Sequence, residues 1–205
     1  MYKRQDVWGE IRLVASARSA GKVLTVRGED LVVQELTPEV FDGVDVAMFD
    51  VPDEISAQWA PIAVSRGAVV VDNSSFWRMH EDVPLVVAEV NPEALDQHRG
   101  IIANPNCSTM QMVVALKPIL DKAGIERLIV STYQSVSGTG RNAIKELRDE
   151  SEAVLQGKPI ETPQVYPHQV AFNVLPQVEN FKDGDDYTTE ERKVMSETRK
   201  ILGLG

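Results

Sequence analysis

The sequence predicts an α/β protein, and three observations carry that prediction. Short runs rich in Val and Ile recur at "EIRLVAS" (10–16), "VDVAMFDV" (44–51) and "GAVVVDNSS" (67–75). A run compatible with a helix, "DEISAQWAPIAVSR" (53–66), separates the last two, and strands that alternate with helices need crossovers, which makes the sheet parallel. With 205 residues, 43% of them hydrophobic, the chain has enough apolar material to bury a core as one large domain or two small ones.

The remaining elements follow in chain order. "LTVRGEDLVVQEL" (24–36) has the pattern of a hairpin or edge pair, with "RGED" as its turn. A helix is expected from Cys107 to about Ala123, closed by Gly124. "RLIVSTYQSVS" (127–137) reads as a strand, and Gly140 to Gln156 as a helix. Residues 157–186 hold four prolines and little periodicity, which predicts a long loop. "TTEERKVMSETRKIL" (188–202) is the last helix, with Thr189 expected as its N-cap. Both ends suggest a piece of a longer protein, because "IRLVASARSAG" starts an α/β domain without a first strand or phosphate loop, and "RKILGLG" stops at a helix end. Residues 1–5 are either a natural basic start or the remnant of a sequencing-library transposon end, one frame of which encodes "YKRQ".

Composition excludes several partners. A net charge of -10 argues against nucleic acid or an anionic membrane, so any anionic ligand must be caught by local positive charge. No apolar run approaches the roughly 20 residues of a membrane span, and "MYKRQDVWGE" lacks the apolar stretch of a signal peptide, so a cytoplasmic location is expected. A single cysteine cannot form an internal disulfide, which leaves its thiol for chemistry or for packing.

That cysteine, Cys107, follows "NPN" and opens an apolar helix, "CSTMQMVVALKPIL". Unpaired N–H groups and the positive end of a helix stabilise a thiolate there and raise its nucleophilicity. "NPN" suits a tight turn, and Ser108 and Thr109 carry hydroxyls able to satisfy orphan donors of the first turn. The residues alone leave two readings open, a nucleophile or a small buried hydrophobe.

Five segments then occur together: "ASARSAGK" (15–22), "VVVDNSSFWRM" (69–79) with "DVPLVVAEVNP" (82–92), "NPNCSTMQMVVALKPIL" (104–120), "TYQSVSGTGR" (132–141) and "HQVAFNVLPQ" (168–177). In this order and spacing they resemble the aspartate-semialdehyde dehydrogenases, from about residue 10 to residue 203. The resemblance implies an incomplete Rossmann-like NADP-binding domain over residues 6–105, then part of an α+β catalytic and dimerisation domain over 106–205. It implies reductive dephosphorylation of L-aspartyl 4-phosphate to L-aspartate 4-semialdehyde and phosphate, on the way to lysine, methionine and threonine. A homodimer or a dimer of dimers is expected, and no metal.

Carried over residue by residue, Cys107 resembles the family's nucleophile, with Asn106 beside it helping to hold the acyl oxygen. Gln134 resembles the glutamine that orients the substrate; a neutral amide can donate and accept without changing the local charge. Ser137 and Gly138 match the turn near the nicotinamide, where a missing side chain admits a flat ring, and Ser75 joins the cofactor set. Arg78 resembles the phosphate-binding arginine, its guanidinium fork suited to an oxyanion. Glu190 and Lys193 fit the family's E-x-x-K, lysine to phosphate and glutamate to the substrate's amino group; without the resemblance they read as an i,i+3 surface pair. Ser16, Arg18 and Ser19 offer a cation and hydroxyls where an acid would select NAD, which favours NADP over the alternative of a plain basic loop.

The sequence also departs from the family. Many members have "SAGG" where this chain continues "VPDE" after "AMFD", close to the cofactor. The family's acid/base histidine and substrate-carboxylate arginine correspond to positions beyond Gly205, its Gly-rich loop to positions before residue 10, and none of His80, His98 and His168 stands in the matching motif. Two alternatives remain. An N-acetyl-glutamyl-phosphate reductase shares the cysteine chemistry but not "NPNCST" together with "TYQSVSG"; an inactive homologue or fragment would only dimerise.

Overall fold

The computed structural model describes residues 8–204; the remnant expected at residues 1–5 lies outside them. The chain divides into two units, one holding residues up to Lys117 together with those from Glu197 onward, the other Pro118–Ser196.

The first unit carries two three-stranded sheets. In one, β1 (Leu13–Ala15) runs parallel to β3 (Glu29–Glu35), which pairs antiparallel with β2 (Val23–Val26). The turn between β2 and β3 is Arg27-Gly28, both at positive φ (56° and 86°), the two-residue geometry that continues the strand twist; it falls within "RGED". In the other sheet β4 (Val46–Phe49), β5 (Val69–Asp72) and β6 (Ile101–Ala103) are parallel, in the order β4-β5-β6. α1 (Asp53–Ser65) is the crossover between β4 and β5, within a residue of its expected span. Ala60 and Ala63 are fully buried with Phe41, Phe49 and Val70, so small residues let the helix approach the sheet closely. A second core gathers Leu85, Val87, Ala103, Val113 and Ile201.

α2 (Cys107–Ala123) leaves β6 through residues 104–106, and Gly124, at a φ of 72°, closes it as expected. In the second unit, α3 (Arg141–Leu155) also matches its expected span. Residues 157–186 form no helix or strand, only a single bridge from Phe181 to Thr188. α4 (Thr189–Leu202) supplies residues to both units.

Two expectations are corrected. Residues 127–137 form no strand: nothing among the described residues pairs with them, and Ile129 and Tyr133 are largely exposed. β-propensity describes fit to a pleated surface, which only a neighbouring strand can supply. The cap of α4 is Thr188, not Thr189. Its backbone N–H donates to Glu191 Oε2 at 2.7 Å, while its hydroxyl oxygen accepts the Glu191 N–H at 3.3 Å, a reciprocal capping box. Thr189 is the first helical residue, and its hydroxyl donates to Glu179 instead. No helix among the described residues is long and apolar enough to cross a membrane.

The long loop is tied to α3 by two glutamates one turn apart. Glu146 accepts the N–H groups of Gln164, Val165 and Tyr166 at 2.6 to 3.1 Å. Glu150, buried, accepts those of Val170 and Ala171 at 2.8 Å each. Burial pulls the Glu146 carboxyl upward, but the three backbone donors outweigh it and leave it below the ordinary value. A carboxyl lowered in the folded state stabilises fully above its unfolded pKa of about 4.3, and that contribution is lost as pH falls through the folded value. Glu146→Gln should therefore reduce stability by roughly 1 to 2 kcal/mol at pH 7, with the difference from wild type shrinking as pH drops below about 4. Urea titrations from pH 7 to pH 3 would check this; a difference independent of pH would refute it.

Candidate active site

The C-terminal ends of β4, β5 and β6 are laced together by side chains. Asn73 Nδ2 donates to Asp50 Oδ1 at 3.0 Å, and Asn104 Nδ2 donates to Asn73 Oδ1 at 2.8 Å. Carboxyl ends of parallel strands are where open α/β sheets place their ligands, because the following loops and helix N-termini converge there. Cys107 stands at this edge as the first residue of α2, and its thiol is exposed. The reading of Cys107 as a buried hydrophobe does not apply.

Asn106 caps α2: its Oδ1 accepts the N–H groups of Ser108 at 2.9 Å and Thr109 at 3.2 Å. The orphan donors are thus satisfied by Asn106 and not by the hydroxyls of Ser108 and Thr109; the Thr109 hydroxyl is buried with no partner. The side-chain oxygen of Asn106 is thus committed to the cap.

Arg78 lies in the same unit and is 8% exposed, not a solvated surface charge. Its Nη1 donates to Glu197 Oε1 at 3.0 Å and its Nη2 to the Asn73 carbonyl at 2.9 Å, while its Nε has no partner. The second carboxylate oxygen of Glu197 accepts the Asn106 N–H at 2.7 Å. Arg78 and the cysteine turn are therefore joined through one buried acid that no sequence motif singled out. The only signal for it was an acidic residue on the face of α4 that also carries Ile201.

Lys200, one turn on, donates to the carbonyls of Arg78, His80 and Val83 at 2.7 to 2.9 Å, and burial pushes its pKa down. Ser75 is bound at both ends to Asp53: its N–H donates to Oδ1 at 2.9 Å and its hydroxyl to Oδ2 at 2.5 Å. Asp53 belongs to the "VPDE" departure, which thus fastens the loop of Ser75 to the first turn of α1.

Ser16, Arg18 and Ser19 lie in a turn after β1, closed by the Ser19 N–H on the Ser16 carbonyl at 2.8 Å. Ser16 and Arg18 are exposed, and Ser19 is half-buried.

In the second unit, Gln134 Nε2 donates to Glu190 Oε1 at 3.3 Å, and Thr132 donates to Gln134 Oε1 at 2.9 Å. Glu190 is 7% exposed. Lys193 stands 3.9 Å from Glu190 Oε2 and makes its closer ion pair with Glu179. Gln134, Glu190 and Lys193 thus form one polar cluster, and the i,i+3 pair is not a plain surface bridge. Ser137 and Gly138 lie in a short 3-10 turn, Val136–Thr139, and a Cβ placed on Gly138 would meet no atom within 4 Å. Among the described residues no group of acids, histidines and cysteine is arranged to hold a metal ion.

Two family models match the chain: "Semialdehyde dehydrogenase, NAD binding domain" over residues 3–98 and "Semialdehyde dehydrogenase, dimerisation domain" over residues 116–205. The chain is 54% identical over 196 residues to an aspartate-semialdehyde dehydrogenase of Aquifex aeolicus (strain VF5), covering 94% of this chain and 57% of that protein. It is 49% identical over 201 residues to one of Bacillus subtilis (strain 168), covering 95% and 58%. The crystal structure of aspartate semialdehyde dehydrogenase II complexed with ASA from Vibrio cholerae aligns with a TM-score of 0.89 at 49% identity, over 95% of this chain and 58% of that one. The chain therefore spans a little under three fifths of the length of the curated relatives it matches.

Asn106→Ala removes the cap and should cost about 1 kcal/mol of stability, and Asn106→Ser, which restores a capping oxygen, should recover most of it. Denaturant midpoints of the two variants would check this, and equal losses would rule out the cap.

Proposed function

Because the chain belongs to the semialdehyde dehydrogenase family and carries its NAD-binding and dimerisation domains, we propose that it is part of an NADP-dependent L-aspartate-4-semialdehyde dehydrogenase. The observation that carries this reading is an exposed thiol at the capped N-terminus of α2, joined through Glu197 to the guanidinium of Arg78.

The Cys107 thiolate attacks the acyl carbon of L-aspartyl 4-phosphate. A C–S bond forms, the C–O bond to the phosphate breaks, and inorganic phosphate leaves. Arg78 takes the phosphate in this reading: its guanidinium fork suits an oxyanion, and its buried Nε–H has no protein partner. Gln134 orients the substrate from a position already tied to Glu190, Glu190 takes the substrate's amino group, and Lys193 adds charge for phosphate. A bound nicotinamide dinucleotide supplies the hydride. Cys107 leaves as thiolate when the reduced carbon collapses to the aldehyde.

The residues fit that dinucleotide. A Cβ on Gly138 would meet no atom within 4 Å, which suits a flat ring against the backbone there, and Ser137 and Ser75 are assigned to the cofactor in the same reading. Exposed Arg18, with Ser16 and Ser19 and no acid within residues 15–22, suits a 2'-phosphate better than a bare 2'-hydroxyl. The enzyme acts in the cytoplasm as a homodimer or a dimer of dimers, in the biosynthesis of lysine, methionine and threonine.

The test is the reverse reaction of the full-length gene product, reduction of NADP by aspartate semialdehyde. NADPH should appear only when phosphate is present, and Cys107→Ser should lower turnover by about a thousandfold or more. In the biosynthetic direction, Arg18→Ala should raise the KM for NADPH by roughly ten- to a hundredfold, leave that for NADH nearly unchanged and spare kcat. Absence of phosphate-dependent turnover would overturn the reaction; equal weakening of both cofactors would overturn the choice of NADP.

A further inference from the structure

We propose that Glu197 is a positioning residue for the nucleophile: its buried carboxylate holds the turn before Cys107 with one oxygen and the Arg78 guanidinium with the other. The inference rests on the reading of Cys107 as the nucleophile, and it gives α4 a part in the chemistry that its motifs do not.

The geometry is specific. Glu197 Oε2 accepts the N–H of Asn106, the residue that precedes the thiol and caps its helix, at 2.7 Å. Glu197 Oε1 accepts Arg78 Nη1 at 3.0 Å. Glu197 is 1% exposed, so the carboxylate gains little from water and depends on these donors. It is not required to fasten α4. Lys200 on the same helix already grips the carbonyls of Arg78, His80 and Val83, and Ile201 packs with Leu85 and Val113. Buried ion pairs are also weak contributors to net stability when compared with apolar replacements of the same size.

What the pair changes is local charge and orientation. The charged groups linked to the turn are Arg78 from the loop after β5, Glu197 and Lys200 from α4, and Asp50 after β4, which reaches the turn only through Asn73 and Asn104; the first turn of α2 carries no acid. Glu197 neutralises the guanidinium beside the cysteine turn and aims its remaining N–H groups. The bond to Asn106 fixes the backbone from which the thiol projects.

Alkylation of Cys107 by iodoacetamide, an uncharged reagent, followed against pH in the 205-residue chain, separates this role from mere support. In Glu197→Gln the guanidinium is uncompensated, so the midpoint of the profile should fall by about half a pH unit, the order expected of one unpaired charge near a titrating group under partial solvent screening. In Arg78→Gln the acid is uncompensated and the midpoint should rise by a similar amount. The double variant should return near wild type. Shifts of both single variants in one direction, toward the free thiol, or no shift in either, would overturn the proposal. Should a single variant fail to fold by circular dichroism, Glu197→Asp takes its place: the charge is kept but both partners cannot be reached. Its midpoint should then match wild type while its plateau rate at high pH falls severalfold, and an unchanged plateau would overturn the proposal. A wild-type thiol no faster than free cysteine would count against the nucleophile reading, while the midpoints would still decide the role of Glu197.

Discussion

A carboxylate sealed from water must find donors, and Glu197 finds them in two segments far from it in sequence. The guanidinium of Arg78 comes from the loop after β5 and the N–H of Asn106 from the turn after β6. Removing one partner of such a buried pair strands a charge at a cost of roughly 3 to 5 kcal/mol, so the loop and the turn are held in register by it, while Lys200 and Ile201 fasten α4 itself. The residue it holds, Asn106, is the one whose side chain caps α2. Lys200 closes the same arrangement from the other side, its ammonium matched by three carbonyls of a loop that has no ladder of its own.

In the second unit carboxylates again serve as acceptors for backbone N–H groups. Glu146 and Glu150 turn the inner face of α3 into a row of acceptors, and the loop that follows places five backbone N–H groups on them. Glu191 closes the capping box of α4, and Glu190 stands between Gln134 and Lys193. The excess of acids over bases, 31 against 21, suggests a solvated acidic surface when read as composition alone. In the fold several of these acids are structural acceptors for a backbone with few ladder partners, which is why the chain can hold long irregular segments in place.

Much of the architecture was legible. α1, α2 and α3 lie within a residue or so of where apolar periodicity, Gly124 and the change of pattern at Gly140 set them, and "RGED" marked the hairpin turn. β6 was not foreseen, because three residues are too short for a period to show. The cap of α4 was displaced by one residue, since Thr188 and Thr189 are equivalent until Glu191 selects the one within reach. Of the site, Cys107 and its neighbours could be found from motifs, as could the cluster of Gln134, Glu190 and Lys193. The capping by Asn106 and the role of Glu197 could not, because hydrogen bonds between distant segments leave no local pattern.

What the sequence determined by itself was local: which segments are helical, where turns fall, and that one thiol precedes a helix, since backbone preference and side-chain periodicity act over a few residues. The tertiary structure decided what depends on a partner. It left "RLIVSTYQSVS" without a strand, because no ladder neighbour stands beside it among the described residues. It drew Arg78 inward to Glu197 rather than leaving it in solvent. Both outcomes have one physical reason: pairing, of backbone groups or of charges, is a property of two segments brought together, and neither segment encodes it alone.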